Sequence, residues 1–164
     1  MAWYVIHVGP RTEKKVATVC DRHGLDYYLP LRESVKVYQR RKVVVSKPLF
    51  PGYLFAVLTP DTRIHILRTN HVLQIIEPED EAQLMHELEQ VRLALSVDPR
   101  LSPSCQLSRG ARVRIKTGVF MGLEGRVEQI ANKTCVRLNV ELVGQSVGVD
   151  VDRDLVEILE DGGE

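Results

Sequence analysis

Residues 96–108, Ser-Val-Asp-Pro-Arg-Leu-Ser-Pro-Ser-Cys-Gln-Leu-Ser, constrain the fold more than any other stretch, because the hydrophobic pattern differs on their two sides. The segment holds two prolines and four serines and keeps no helical or strand period, so it reads as a flexible linker. Fully extended it reaches roughly 45 Å. Upstream, strand-like and helix-like runs alternate; downstream, only a period of two survives. The 164 residues therefore divide into two small domains, 1–95 and 109–160, joined by 96–108.

In the first half, Trp3-Tyr4-Val5-Ile6-His7-Val8 predicts a strand stopped by Gly9-Pro10. Residues 12–23 predict a helix with Val16, Val19, Cys20 and His23 on its inward stripe and Arg11, Lys14, Lys15 and Arg22 beside it. A short extended piece, Tyr27-Tyr28-Leu29, follows. Val35–Tyr38 and Val43–Val45 form a hairpin whose tip holds Arg40, Arg41 and Lys42. Tyr53–Leu58 and Val72–Ile76 are further strands. Thr59 before Pro60 starts a short helix, the hydroxyl capping and the proline fitting the first turn. A longer helix runs from Pro78 to about Leu95, with Leu84, Leu88, Val91 and Leu95 at steps of four, three and four. The order β-α-β-β-β-α-β-α implies an α+β sandwich on a mainly antiparallel sheet.

In the second half, Val113 and Ile115 alternate with Arg112, Arg114 and Lys116. Val136, Leu138, Val140 and Leu142 alternate with polar residues, and Val147, Val149 and Val151 resume the pattern after Gly144-Gln145. Short half-buried strands in about 50 residues fit a small β-barrel, which closure relieves of exposed edges.

Net charge is zero, with 22 Lys and Arg against 22 Asp and Glu, and taken as a sum this argues against a nucleic-acid partner. Distribution says otherwise. Residues 1–76 hold 12 basic and 5 acidic residues (+7), residues 77–100 hold 2 and 7 (−5), and residues 101–164 hold 8 and 10 (−2). A basic first face followed by an acidic helix suits oriented contact with a large charged partner. Cys20, Cys105 and Cys135 are odd in number and widely spaced, with no CxxC pair, so neither a disulfide framework nor a metal site is expected. No apolar run reaches the roughly 20 residues of a membrane helix, and Met1-Ala2-Trp3-Tyr4 lacks the start of a secretory signal. A cytoplasmic monomer without membrane contact is the expectation. The five histidines, at 7, 23, 65, 71 and 86, have no metal spacing, and neither a P-loop nor GxGxxG occurs. No cofactor and no enzyme activity are expected.

Aromatic residues concentrate at Pro48-Leu49-Phe50-Pro51-Gly52-Tyr53-Leu54-Phe55, where Phe50, Tyr53 and Phe55 are expected to share one side of the chain. Such a cluster is either core or a pocket for a partner's helix, where aromatics dominate binding. This segment, with Trp3-Tyr4-Val5, resembles the N-terminal (NGN) domain of the NusG transcription elongation factors. Gly110-Ala111-Arg112-Val113-Arg114-Ile115-Lys116-Thr117-Gly118-Val119-Phe120-Met121-Gly122-Leu123-Glu124-Gly125-Arg126-Val127 resembles the KOW motif. The resemblance covers nearly the whole chain and is nearest to the specialised antiterminators of the RfaH group.

The resemblance implies a factor that binds the clamp helices of the largest (beta') subunit of RNA polymerase, holds the clamp closed and reduces pausing on a subset of operons. By position, Tyr4, His7, Phe50, Tyr53, Phe55 and Ile75 are the clamp-binding candidates. Thr62, Arg63 and His65 would face the gate loop of the beta subunit. Arg11, Thr12, Lys14, Lys15, Arg22 and His23 would meet non-template DNA, with Arg40, Arg41 and Lys42 toward upstream duplex DNA. Gly9-Pro10 replaces the lysine and arginine found in RfaH. Val143-Gly144 stands where housekeeping members place a phenylalanine for the NusE ribosomal protein or Rho. A general NusG-type factor coupled to Rho or the ribosome, a ribosome- or RNA-binding KOW protein, and an unrecognised hydrolase remain the alternatives.

Overall fold

The computed structural model describes residues 2–130 and 132–160, apart from the side chains of residues 130 and 160. Met1, the first residue of the predicted first domain, lies outside them. In chain order the elements are β1 (Ala2–Val8), α1 (Glu13–Arg22), β2 (Tyr27–Tyr28), β3 (Leu31–Tyr38), β4 (Arg41–Pro48), β5 (Tyr53–Leu58), α2 (Pro60–Leu67), β6 (Val72–Ile76) and α3 (Glu81–Val97). There follow β7 (Pro103–Ser104), β8 (Arg112–Ile115), β9 (Glu124–Ile130), β10 (Lys133–Val140), β11 (Gln145–Val151), a 3-10 turn (Arg153–Leu155) and β12 (Val156–Glu160).

The first half centres on a four-stranded antiparallel sheet ordered β2-β5-β1-β6. Directly opposed residues of an antiparallel pair share a face. The pairs Tyr4–Ala56 and Ile6–Leu54 therefore look one way, and Trp3–Val57, Val5–Phe55 and His7–Tyr53 look the other. The first face packs on α1 and α2, where Ile6, Val8, Val16, Cys20, Leu54, Leu58 and Ile66 form a closed cluster. The second face meets α3 through Leu84, Leu88, Val91 and Ala94. Both sides of the sheet are thus covered by helix, as the alternation of elements implies.

Local chemistry fixes the helix starts. Thr59 caps α2 with a reciprocal capping box: its hydroxyl accepts from the Thr62 N–H, and the Thr62 hydroxyl accepts from the Thr59 N–H. Asp80 caps α3 by accepting from the Gln83 N–H at 3.0 Å, so α3 begins after Pro78-Glu79 rather than at the proline. In α1 the inward stripe is Glu13, Val16, Ala17 and Cys20. His23, expected in that stripe, is the residue after the helix end and is exposed.

Strands β3 and β4 form a separate two-stranded ribbon, longer than the sequence suggests. Tyr38 pairs with Arg41, so the loop is only Gln39-Arg40, both at positive φ (47° and 65°). This is a two-residue turn of the kind whose twist suits adjoining strands, built without glycine.

The second half is a six-stranded antiparallel sheet ordered β12-β8-β9-β10-β11-β7, with β12 and β7 as its end strands. Val113, Ile115, Val136, Leu138, Val140, Val147 and Val149 face inward, as their alternation predicts. Gly125 allows β9 to approach β10 closely: a Cβ there would lie 2.5 Å from the Arg137 carbonyl oxygen.

The segment read as a linker carries structure. Ser96 and Val97 belong to α3, and Pro103–Ser104 pairs with β11. Leu101 is buried, the Glu33 N–H donates to the Pro99 carbonyl at 2.7 Å, and the Ser108 backbone exchanges two hydrogen bonds with Asn139. One apolar cluster runs without a break from Val5, Phe50 and Phe55, through α3 and Leu101, to the inward residues of the second sheet.

Candidate partner-binding and nucleic-acid surfaces

Residues 50–53 form a turn that delivers the chain into β5, and Gly52 is its pivot. Its φ of +88° is costly for any side-chain-bearing residue, and a Cβ there would lie 3.6 Å from the His7 ring. The Gly52 carbonyl accepts from the Val8 N–H at 2.8 Å, and its N–H donates to Glu13 Oε2 at 2.9 Å. Glu13 is a buried carboxylate on the inward stripe of α1. It ties helix to turn, and the sequence analysis missed it. The available signal was an acidic residue at the i position of an i, i+3, i+4, i+7 stripe.

Of the six clamp-binding candidates, the fold brings four together. His7 and Tyr53 are cross-strand partners whose rings stack with centroids 4.7 Å apart and planes 12° from parallel. Phe55 shares their face. Phe50 lies in the turn before β5, so it does not alternate with Tyr53 along a strand as expected, yet it joins the same cluster. Tyr4 and Ile75 lie on the opposite face, against α1 and α2. A strand's side chains alternate, so no single partner surface on the sheet takes Tyr4 together with His7.

Exposure divides the four again. Phe50 and Phe55 are 0% exposed, while His7 and Tyr53 are half-buried. Trp3, Tyr28 and Ile76 are part-buried residues packed on the same cluster. Burial pushes the Tyr28 hydroxyl up to about 12, with Arg92 pulling it down and Glu89 adding to the rise. Tyr28 is therefore a neutral donor at any physiological pH. The aromatic face is apolar floor with a stacked pair at its rim.

The gate-loop candidates have different employments. Thr62 spends its hydroxyl in the capping box. Arg63 places its guanidinium 5.7 Å from the centroid of the Tyr4 ring. His65 is exposed and stacks on His23, with ring centroids 5.1 Å apart. This joins one gate-loop candidate to one nucleic-acid candidate.

Arg11, Lys14, Lys15 and Arg22 are all exposed. The Lys14 ammonium donates to the Ser46 carbonyl at 2.8 Å, fastening α1 to the ribbon. The Thr12 hydroxyl donates to the Gly9 carbonyl at 2.7 Å. In the ribbon, Arg40 sits in the turn, while Arg41 and Lys42 are consecutive strand residues on opposite faces. Arg41 shares its face with Arg32, Lys36, Tyr38 and Lys47. Mutual repulsion is visible there: the Lys47 ammonium is held below its ordinary value by Lys36, then by slight burial, with Arg32 adding to the effect.

In the second half, Val143 is buried in the turn closed by Gly144, whose φ is +72°. Exposed apolar side chains of this half include Val119 and Met121, at 77% and 68%, with Ile158 and, beside Val143, Leu142. Among the described residues no group of three or more His, Cys, Asp or Glu is placed to hold a metal, and no helix is long and apolar enough to cross a membrane.

Residues 1–93 match the family model described as transcription termination factor nusG. Three curated proteins, each called transcription termination/antitermination protein NusG, are similar over nearly their full length. That of Chlamydia pneumoniae is 26% identical, covering 90% of this chain and 89% of the relative. That of Halalkalibacterium halodurans is 22% identical, covering 94% and 97%. That of Neisseria meningitidis serogroup B is 22% identical, covering 94% and 96%.

Proposed function

Because the chain belongs to the NusG family of transcription termination/antitermination factors, we propose that it binds RNA polymerase through the aromatic face of its N-terminal sheet. The observation behind this reading is the stacked His7–Tyr53 pair on a buried floor of Phe50 and Phe55, fixed by the Glu13–Gly52 tie. An apolar, preformed surface with aromatic side chains at its rim suits the helical coiled coil of the polymerase clamp. Arg63 and His65, on the α2 side, would then approach the gate loop. A factor that bridges both sides of the cleft prefers the closed clamp and shifts the population toward it, so pausing falls without any covalent chemistry.

Domain 1–95 would supply polymerase contact, 96–108 the connection and 109–160 a second contact. Arg11, Lys15 and Arg22 would attract non-template DNA, and Arg40 and Arg41 upstream duplex. Action on a subset of operons, in the manner of the specialised paralogs, belongs to the same reading, as does a cytoplasmic location. A second reading, a general factor coupled to the NusE ribosomal protein or Rho, is favoured by exposed Val119 and Met121, while buried Val143 speaks against the predicted turn as the contact.

Copurification of the full chain with RNA polymerase tests the reading. Binding is expected for the wild type and strongly reduced in Tyr53→Ala. Recovery of ribosomal subunits without polymerase would overturn it in favour of a ribosome-associated role.

A further inference from the structure

Pairing register sorts the side chains of the β3–β4 ribbon onto two faces, because opposed residues of an antiparallel pair point the same way. One face carries the pairs Arg32–Lys47, Ser34–Val45, Lys36–Val43 and Tyr38–Arg41. The other carries Leu31–Pro48, Glu33–Ser46, Val35–Val44 and Val37–Lys42. Four of the six cations of residues 31–48 thus gather on the first face, and the segment's one carboxylate, Glu33, falls on the second. There Lys42 is the single cation, beside the exposed side chains of Leu31, Val35, Val37 and Val44.

The first face is short of negative charge. Among the described residues none of Arg32, Lys36, Arg41 and Lys47 is ion-paired. Arg32 donates through Nη2 to the Ser102 hydroxyl at 3.4 Å, while its Nε is buried with no acceptor among the described residues. The Lys36 charge is the largest influence holding the Lys47 ammonium below its ordinary value, so these two groups crowd each other. An arriving anion relieves that repulsion as well as adding attraction. The four cations are spread over six residues of strand, roughly 20 Å. That is the axial length of about six base pairs of duplex. Tyr38 is the one aromatic ring among them. Single strands are held by successive stacking platforms, whereas spaced cations with one ring suit the phosphate backbone of a duplex.

We propose that the ribbon meets duplex DNA through this one face, with Arg32, Lys36, Arg41 and Lys47 along the phosphate backbone, and that Lys42 takes no part. The proposal deepens the reading that Arg40 and Arg41 attract duplex DNA, and it does not depend on what the aromatic face of the sheet binds. Contacts of this kind position the protein without reading sequence.

Anisotropy of a labelled duplex of about 20 base pairs, titrated with the full chain between roughly 50 and 200 mM salt, reads both affinity and its salt dependence. Lys36→Ala and Lys47→Ala are each expected to weaken binding about five- to tenfold near 0.1 M salt and to flatten the log–log slope by roughly 0.9. Lys36→Arg and Lys47→Arg are expected to bind as the wild type. Lys42→Ala is expected to keep the slope and lose less than about threefold, since it removes only a screened charge. Losses in Lys42→Ala equal to those in Lys36→Ala would overturn the one-faced contact. Losses confined to Arg40→Ala would also overturn it and leave the turn as the site of DNA contact. No loss in any of these variants would overturn both readings. A larger loss for single-stranded DNA than for the duplex in Lys36→Ala would overturn the choice of duplex.

Discussion

At the scale of single residues, Glu13 does more than its place in a surface helix suggests. A buried carboxylate accepting a backbone N–H contributes through a charge-assisted hydrogen bond, and its removal leaves the Gly52 donor without that partner. Glu13→Ala is expected to cost about 1–3 kcal/mol in urea unfolding, with Glu13→Gln recovering part of the loss. Phe50 and Tyr53 separate stability from recognition. Phe50→Ala empties a fully buried site and is expected to lose about 3–5 kcal/mol. Polar replacements of Phe50 or Phe55 would therefore report on folding first, and Tyr53→Ala, at the rim, is the cleaner probe. Lys14 and Lys15 differ in the same way. Lys15→Ala should flatten the salt dependence of DNA binding by roughly 0.7–0.9 in log–log slope if it meets one phosphate. Lys14→Ala should also loosen the ribbon, because its ammonium holds Ser46.

At the scale of elements, the turn of the ribbon and the cap of α2 show opposite degrees of local agreement. Thr59, Pro60 and Thr62 all favour the helix start they make, and Thr59→Ala is expected to cost about 1 kcal/mol in thermal or urea unfolding. Gln39 and Arg40 adopt positive φ without the glycine or asparagine that such a turn favours. Replacing them with Asn-Gly is expected to stabilise the ribbon by about 1–2 kcal/mol, seen as slower exchange of the β3–β4 amides, with loss of the Arg40 charge. Legibility followed the same division. The strands β1, β5 and β6 and the starts of all three helices were readable to within a few residues, because period and capping act over short sequence distances. The ribbon's length was not, since Leu31–Ser34 and Ser46–Pro48 show no strand alternation and are held by cross-strand pairing alone. Nor was the layer that each candidate meets. The odd spacing of Tyr4 and His7 already puts them on opposite sides of a strand, but only the packing of the helices decides which layer each side meets.

At the scale of the whole molecule, the sequence divides cleanly at 96–108 while the apolar core does not. Prolines and serines removed any local period there, and the pairing that orders Pro103–Ser104 comes from Ser146 and Val147, more than 40 residues away. Such contacts leave no local trace. The charge pattern also takes on a spatial meaning. The basic excess of residues 1–76 resides in α1 and the ribbon, which Lys14 fastens together, whereas α3 supplies acidic and amide groups to the second sheet. A neutral sum conceals a basic α1 and ribbon and an acidic stretch at residues 77–100.

The affinity of purified RNA polymerase elongation complexes for the full chain, compared between wild type and Tyr53→Ala, tests the polymerase-binding account most directly. The unfolding midpoint of each protein, measured alongside, separates recognition from folding. The account predicts at least a tenfold loss of affinity in Tyr53→Ala, about 1.4 kcal/mol or more, with the midpoint little changed. Equal affinity of a folded Tyr53→Ala and the wild type would contradict it.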